Sequence, residues 1–484
     1  MSQSVVRLKH ADRLYIGGEW LPPSTDRRFE IVHPGTADIR LSVPEAREAD
    51  MDRAVSSARE AFDHGAWPRM SLSERCACML HWADMLDARA EDLAVAYTTE
   101  IGATIRSTRQ NMAYMSSLIR HGVKLAEAFA FEEEMPVPGG KAVVTKEPVG
   151  VVAAIVPWNF PAHLGLIKMV PALIVGCTMV VKPSPEAPLD MILMAECADL
   201  AGFPKGVLSI VQADRDVGDR LIRDLRVDKV SFTGSTAAGR HIGAVCMDRV
   251  ARVSLELGGK SPAIILDDAP MEAVVPRLVR MSTLISGQAC MSLTRVLVSE
   301  AKAPALEEAL AAAYAAIRIG DPFDETIDMG PLINARQRDR VEGYVATGTR
   351  QGARIATGGR RPTGLDAGFF FEPTVFAGVT NDMTIAQEEI FGPVISVIRY
   401  RDEGDAVALA NDTPYGLNAA IFTEDADRFR DMAGRIRAGT VAQNALGPQI
   451  NMPFGGFKQS GIGREGGVEA FELYTEVKVI YQAA

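Results

Sequence analysis

A chain of 484 residues exceeds what one ordinary hydrophobic core can organise, so at least two large domains are expected. Hydrophobic residues at 47 % and charged residues at 23 % exclude a disordered polymer, and a net charge of −11 argues against nucleic acid or an anionic membrane as the main partner. No apolar run is long enough to span a bilayer, and Met1 to Arg7 lacks the apolar stretch of a secretory signal. The six cysteines contain no C-x-x-C and the seven histidines no H-E-x-x-H, which points to a reducing, cytoplasmic setting and no structural metal.

In chain order, turn signals at Gly17-Gly18 and Pro22-Pro23 predict a small hairpin within 12–30. Apolar residues at three- and four-residue intervals predict helices over 45–62, 71–100 and 103–129, the second opening on the capping pattern Ser71-Leu72-Ser73-Glu74. After Pro138-Gly139-Gly140, residues 141–147 form a short extended segment with little to bury. The pattern then alternates, with strands at 150–156, 178–182, 207–211, 229–233 and 250–255 and helices at 163–175, 188–202, 216–225 and 235–247. Apolar β-branched runs separated by amphipathic helices imply parallel strands covered on both faces, the doubly wound, nucleotide-binding type of α/β sheet.

A second alternating series follows, with strands at 263–266, 295–299, 354–357, 394–400, 418–422 and 440–444, and it predicts a second α/β domain. The Gly/Pro-rich 447–467 stretch returns the chain, and 475–481 is a terminal strand that must pair with 141–147 or with another subunit.

Six places could carry chemistry. Cys290 follows Gly287-Gln288-Ala289 just before a predicted strand, where a backbone can present a side chain. Only about 3 % of an ordinary thiol is ionised at neutral pH, so a nucleophilic Cys290 needs neighbours that raise that fraction; an inert core thiol is the plain alternative. In Pro157-Trp158-Asn159-Phe160-Pro161, Asn159 offers an amide to an oxyanion, or closes an Asx-turn. Lys182, ending a strand before Pro183-Ser184-Pro185-Glu186, can reach a ribose or phosphate, or remain a solvated lysine.

Gly234-Ser235 opens a helix where backbone amides and a hydroxyl could hold a pyrophosphate, although the stretch is not G-x-G-x-x-G and a structural turn explains it equally. Glu256, at an apolar strand end before Leu257-Gly258-Gly259-Lys260, suits general-base work if burial raises its pKa, or is an ion-paired structural group. Glu389, in Glu388-Glu389-Ile390-Phe391-Gly392-Pro393, could meet a ribose hydroxyl or cap a solvated helix.

Taken together, P-W-N-F-P, F-T-G-S-T, E-L-G-G-K, G-Q-x-C, E-E-I-F-G-P and the late Pro453-Phe454-Gly455-Gly456-Phe457 resemble the aldehyde dehydrogenase superfamily from Trp20 to Tyr481. The resemblance implies two Rossmann-like α/β domains with a small β extension: 1–125 with 149–258 for the dinucleotide, 259–459 for catalysis, and 126–148 with 460–484 for oligomerisation strands and the return segment. It implies that Cys290 attacks an aldehyde, that Asn159 holds the oxyanion and that Glu256 activates water, with Lys168 and Glu465 relaying protons. The presence of Glu256 favours the hydrolytic branch over coenzyme A acylation. Trp158, Lys182, Ser184, Gly234, Ser235, Gly258, Glu389 and Phe391 would surround NAD or NADP.

Phe160, Leu164, Ile167, Met291, Leu446, Ile450 and Met452 would line the substrate tunnel. Pro185 stands where NAD-preferring members carry a glutamate, which opens NADP use; Ile285, Met291 and Ile167 also depart from the common pattern. The expected substrate is an uncharged aliphatic, terpenoid or aromatic aldehyde, with a cysteine esterase or a semialdehyde-acid dehydrogenase as alternatives. The expected assembly is a homodimer or homotetramer in which 475–481 pairs with 141–147 of a neighbour.

Overall fold

Residues 6–447 and 452–483 are described by the computed structural model. Five parallel strands, Val151–Ile155, Thr178–Lys182, Leu208–Ile210, Lys229–Thr233 and Arg252–Glu256, form the first sheet. Their spatial order runs third, second, first, fourth, fifth, so the order reverses between Val151–Ile155 and Lys229–Thr233. In an open sheet that reversal leaves a crevice beyond the carboxyl ends of the two strands, where Asn159 and Ser235 follow. The Leu14–Ile16 and Glu19–Leu21 hairpin extends one edge, and Gly461–Ile462 from the return segment pairs with Arg252–Glu256 at the other.

The second sheet is built around Ser261–Ile265, flanked by Leu293–Ser299 and Asn418–Phe422, with Val394–Tyr400, Thr374–Val379, Arg354–Thr357 and Thr440–Gln443 outside them. Fully buried runs such as Thr178–Lys182 and Asn418–Phe422 have apolar side chains on both faces, as strands covered by helices must. Between the last two strands of the first sheet the pleat does something different. Ser231 is registered with Ser254 and Thr233 with Glu256, while Val230, Phe232 and Leu255 join an apolar cluster on the opposite face. A polar track therefore runs along one face towards Glu256.

Several expectations change. The 71–100 helix is two helices, Leu72–Ala88 and Ala90–Ile101, broken at Arg89, and 103–129 is likewise Ile105–Met112 and Met115–Ala128. Ser71 and Glu74 do form the reciprocal cap. The terminal strand Thr475–Ala483 pairs antiparallel with Gly140–Pro148 of its own chain, whose other side takes Glu132–Val137. The expected pairing of 475–481 across subunits is thus corrected: a nine-residue register is satisfied within one chain. No helix among the described residues is long and apolar enough to cross a membrane.

Candidate active site

The loop carrying Cys290 is set by an unusual backbone. Ile285 and Ser286 adopt left-handed φ values of 46° and 55°, and Gly287 follows at 74°. A Cβ on Gly287 would stand 2.2 Å from the carbonyl oxygen of Gly392, so the Cys290 loop and the Glu389–Gly392 loop touch backbone to backbone. Gln288 fixes the far side: its side chain accepts from the Ile333 amide at 3.0 Å and donates to the Ile285 carbonyl at 3.0 Å. Strain of this kind persists only where the surroundings over-determine it.

Asn159 reaches the same loop from the first domain. Its Nδ2 donates to the Gln288 carbonyl at 3.0 Å, and its own carbonyl accepts from the buried Tyr97 hydroxyl. An amide has two hydrogens, so one remains beside the cysteine for an oxyanion.

Glu256 is 4 % exposed, and neither carboxylate oxygen has a hydrogen-bond partner. Burial first, then the charge of Glu465, pushes its pKa well above the carboxylate range, opposed by Lys168 and Arg464. Gly455 leaves its space: a Cβ there would lie 2.5 Å from Glu256 Oε1. Beneath it, Lys168 and Glu465 form a buried ion pair. Glu465 Oε1 also accepts from Ser231 at 3.4 Å, and Ser231 in turn accepts from Ser254 and Tyr474, each at 3.2 Å.

The thiol departs from expectation. Burial, followed by the charges of Glu389 and Glu256, raises the Cys290 pKa, and the backbone amides of Cys290 and Met291, which favour the thiolate, only partly oppose them. The same fact places both acids within electrostatic reach of the sulfur. A base must therefore remove the proton during reaction, and the site supplies a candidate in Glu256.

Of the residues expected to hold a dinucleotide, Trp158, Lys182, Ser184, Gly234, Ser235 and Gly258 lie at or just beyond the carboxyl ends of the first sheet's strands, and Glu389 and Phe391 lie on the loop before Val394–Tyr400. Ser235 is the N-cap of the Thr236–Asp248 helix and accepts from Ala238 N at 3.3 Å, leaving its own hydrogen to donate; the buried Thr233 Oγ1 nearby has no partner. A Cβ on Gly234 would meet the Phe232 ring at 2.5 Å. Lys182 donates to the carbonyls of Ala213 (2.8 Å) and Pro183 (3.1 Å), and burial, opposed by Glu186 and Asp214, lowers its pKa to about 8. Ser184 donates to Glu186, whose other oxygen pairs with Arg336 at 2.7 Å.

Glu389 accepts from the Gly259 amide at 3.1 Å and is raised by burial to about 7; a Cβ on Gly258 would collide with it at 2.4 Å. Phe391 takes a left-handed φ of 62° and meets Trp158 edge to face, with ring centroids 5.3 Å apart. An orphaned threonine hydroxyl, an open helix start and two ring walls suit a phosphate-linked, ring-bearing cofactor.

Of the expected tunnel residues, Leu164 is buried and Phe160, Ile167 and Met291 are half-buried. Ile167 borders a small cavity with Leu118, His121 and Leu125. Leu446 packs on the second domain's core, Met452 is exposed, and Ile450 lies outside the described residues. Tyr97, Gln337 and Arg340 were not anticipated. Gln337 donates to the Phe391 carbonyl at 2.7 Å and Arg340 to the Glu389 carbonyl at 2.6 Å, holding that loop from a helix some fifty residues earlier. No local motif marks them.

Among the described residues, no group of three or more His, Cys, Asp or Glu could hold a metal ion, and all six cysteines are free. An open parallel sheet with a crevice at its strand reversal, joined to a second α/β unit, fits the class of nicotinamide-dependent oxidoreductases. The chain belongs to the aldehyde dehydrogenase family, whose model matches residues 20–480. It is similar to geranial dehydrogenase of Castellaniella defragrans, 43 % identical over 97 % of this chain and 98 % of that protein. Among solved structures it resembles the Mycobacterium tuberculosis aldehyde dehydrogenase complexed with NAD+, with TM-score 0.96 and 40 % identity over 99 % of both chains. Staphylococcus aureus betaine aldehyde dehydrogenase in complex with NAD+ also matches, with TM-score 0.96 and 36 % identity over 98 % of this chain and 95 % of that one. The protein is an NAD(P)-dependent aldehyde dehydrogenase.

Proposed function

We propose that Cys290 is the nucleophile, Asn159 the oxyanion donor and Glu256 the base, in a site that oxidises an uncharged, apolar or aromatic aldehyde. The observation that carries this reading is the Asn159-to-Gln288 hydrogen bond, which ties the amide to the nucleophile's loop across the domain boundary. Glu256 takes the thiol proton, and sulfur adds to the aldehyde carbon. The oxygen becomes an anion facing the free Asn159 hydrogen and the Cys290 amide. A bound nicotinamide coenzyme would supply the acceptor for the hydride of that carbon, leaving a thioester on Cys290. Lys168 and Glu465 pass the first proton onward, which frees Glu256 to take another from the attacking water. The departing sulfur recovers that proton as the acid is released.

Lys182, Ser184, Ser235, Gly234 and Gly258 hold the dinucleotide on this reading, with Glu389 on a ribose and Trp158 and Phe391 as its walls. Dinucleotide binding belongs to 1–125 with 149–258 and catalysis to 259–459. The apolar side chains of Phe160, Leu164, Ile167 and Met291 support an uncharged substrate, as does the similarity to a geranial dehydrogenase. NADP is accepted beside NAD because Pro185 carries no carboxylate and Glu186 is engaged by Ser184 and Arg336. The exposed Val477, Val479, Ile480 and Tyr481 on the open edge of the terminal strand support a homo-oligomer joined there.

The test is a panel of aldehydes with each coenzyme, beside Cys290→Ala and Glu256→Gln. Cys290→Ala should form no NAD(P)H, while Glu256→Gln should lose turnover; full aldehyde oxidation by Cys290→Ala would overturn the assignment. Fluorescence titration with NAD and NADP reads the coenzyme choice without turnover.

A further inference from the structure

Two buried carboxylates with no part in the chemistry above sit behind Asn159. The Pro161–Val175 and Leu189–Ala201 helices both begin without a side-chain cap of their own, at Phe160 and Pro188. Each borrows one from elsewhere. Asp190 accepts from the Ala162 amide at 3.0 Å, and Glu100 accepts from the amides of Leu189 (2.8 Å) and Asp190 (3.4 Å). Tyr97 stands three residues before Glu100 on the Ala90–Ile101 helix and donates to the Asn159 carbonyl. Three helices are thereby locked around the turn that carries Asn159.

Asp190 is fully buried and Glu100 nearly so, and Asp190 Oδ1 has no partner. Two carboxylates from different helices, brought together at the buried start of Leu189–Ala201, resist being ionised together. Burial, then the charge of Asp190, holds Glu100 well above the carboxylate range; burial lifts Asp190 to about 7. Tyr97 is the titratable group that faces both.

We propose that Asp190 and Glu100 share one proton and form a bracket that positions Asn159, so that losing this proton loosens the start of the Pro161–Val175 helix and slows both steps that place negative charge on the substrate oxygen. The proposal rests on Asn159 being the oxyanion donor. Its sign is fixed by linkage. A carboxyl whose pKa is higher folded than unfolded binds more protons in the native state, so stability falls as pH rises from the ordinary carboxyl range to about 7 and stays low above it.

Single-turnover measurement of NAD(P)H formation and of acyl release, with melting curves across pH, separates the possibilities. Asp190→Ala removes the cap and should slow NAD(P)H formation and acyl release alike, each about tenfold or more. Asp190→Asn keeps an acceptor for Ala162 but cannot ionise. It should outpace wild type above neutral pH, with the gap closing on acidification, and its melting temperature should lose the fall between about pH 5 and pH 8. Glu100→Gln should do the same. Wild-type rates and pH dependence in Asp190→Asn, or an undiminished burst in a folded Asp190→Ala, would overturn the bracket. If Asp190→Ala does not fold, Asp190→Asn and Glu100→Gln decide the matter. Asn159→Ala is the control: if it bursts normally, the oxyanion reading falls and the bracket with it, whereas a lost burst there beside normal Asp190 variants condemns the bracket alone.

Discussion

At Cys290 desolvation of the half-buried side chain and two nearby acids work against thiolate. In Asp190→Asn, whose bracket cannot ionise, the rate of acylation should therefore climb as pH rises through neutrality into the alkaline range, measured as the initial NAD(P)H burst. A flat profile would show that the thiol is ionised at rest. Deacylation depends on Glu256, also held protonated by burial and by Glu465, and in the same variant should rise with pH as that carboxyl loses its proton. Ser231→Ala withdraws the hydroxyl that steadies Glu465 and should shift the acidic limb of deacylation, with Ser231→Thr restoring it. At Gly455 a methyl group would meet the Glu256 carboxylate, the base of both steps, so Gly455→Ala should reduce the burst and deacylation alike, each about tenfold or more. The residues proposed to bear the chemistry could be singled out because each lies beside a stretch of recognisable local pattern. Tyr97 and Arg340 could not, because their roles exist only through contacts to carbonyls far away in sequence.

Among elements, the strands read most clearly were those with β-branched runs between breakers: Thr178–Lys182, Lys229–Thr233, Val394–Tyr400 and Asn418–Phe422 coincide with expectation. Thr374–Val379 was missed because Ala377-Gly378 dilutes its signal; Gly378 has φ 65° and the register shifts between Phe376 and Val379, a local irregularity that no periodicity reports. Glu132–Val137 was missed because three consecutive glutamates resemble a solvated loop. The break at Arg89 has neither glycine nor proline to announce it. Cys290 and the Glu389–Phe391 loop lie at the amino ends of their strands, whereas Asn159, Lys182 and Ser235 follow carboxyl ends. The two sheets thus present opposite ends to one cleft, which follows from tertiary arrangement alone. On the Ala335–Arg350 helix, Arg340→Ala should free the loop that carries Phe391 and raise the coenzyme KM several-fold, with the aldehyde KM nearly unchanged.

For the whole molecule, the three-stranded extension closes within the chain and still exposes an apolar edge. Deleting residues 475–484 would uncover Gly140–Pro148 and should give aggregates by size-exclusion chromatography; an unchanged elution volume would argue that the strand contributes nothing to assembly.

The return segment has a further consequence. Phe471 and Tyr474 fill the core beneath the first sheet, Gly461–Ile462 completes its edge, and Glu465 neutralises Lys168 inside it. The part of the chain that carries the first sheet thus stays unfinished, with Lys168 lacking its buried counter-charge, until the return segment has been synthesised. Synthesis order and folding order are in opposition, and a chain interrupted near residue 459 should be a client of chaperones rather than a smaller working domain.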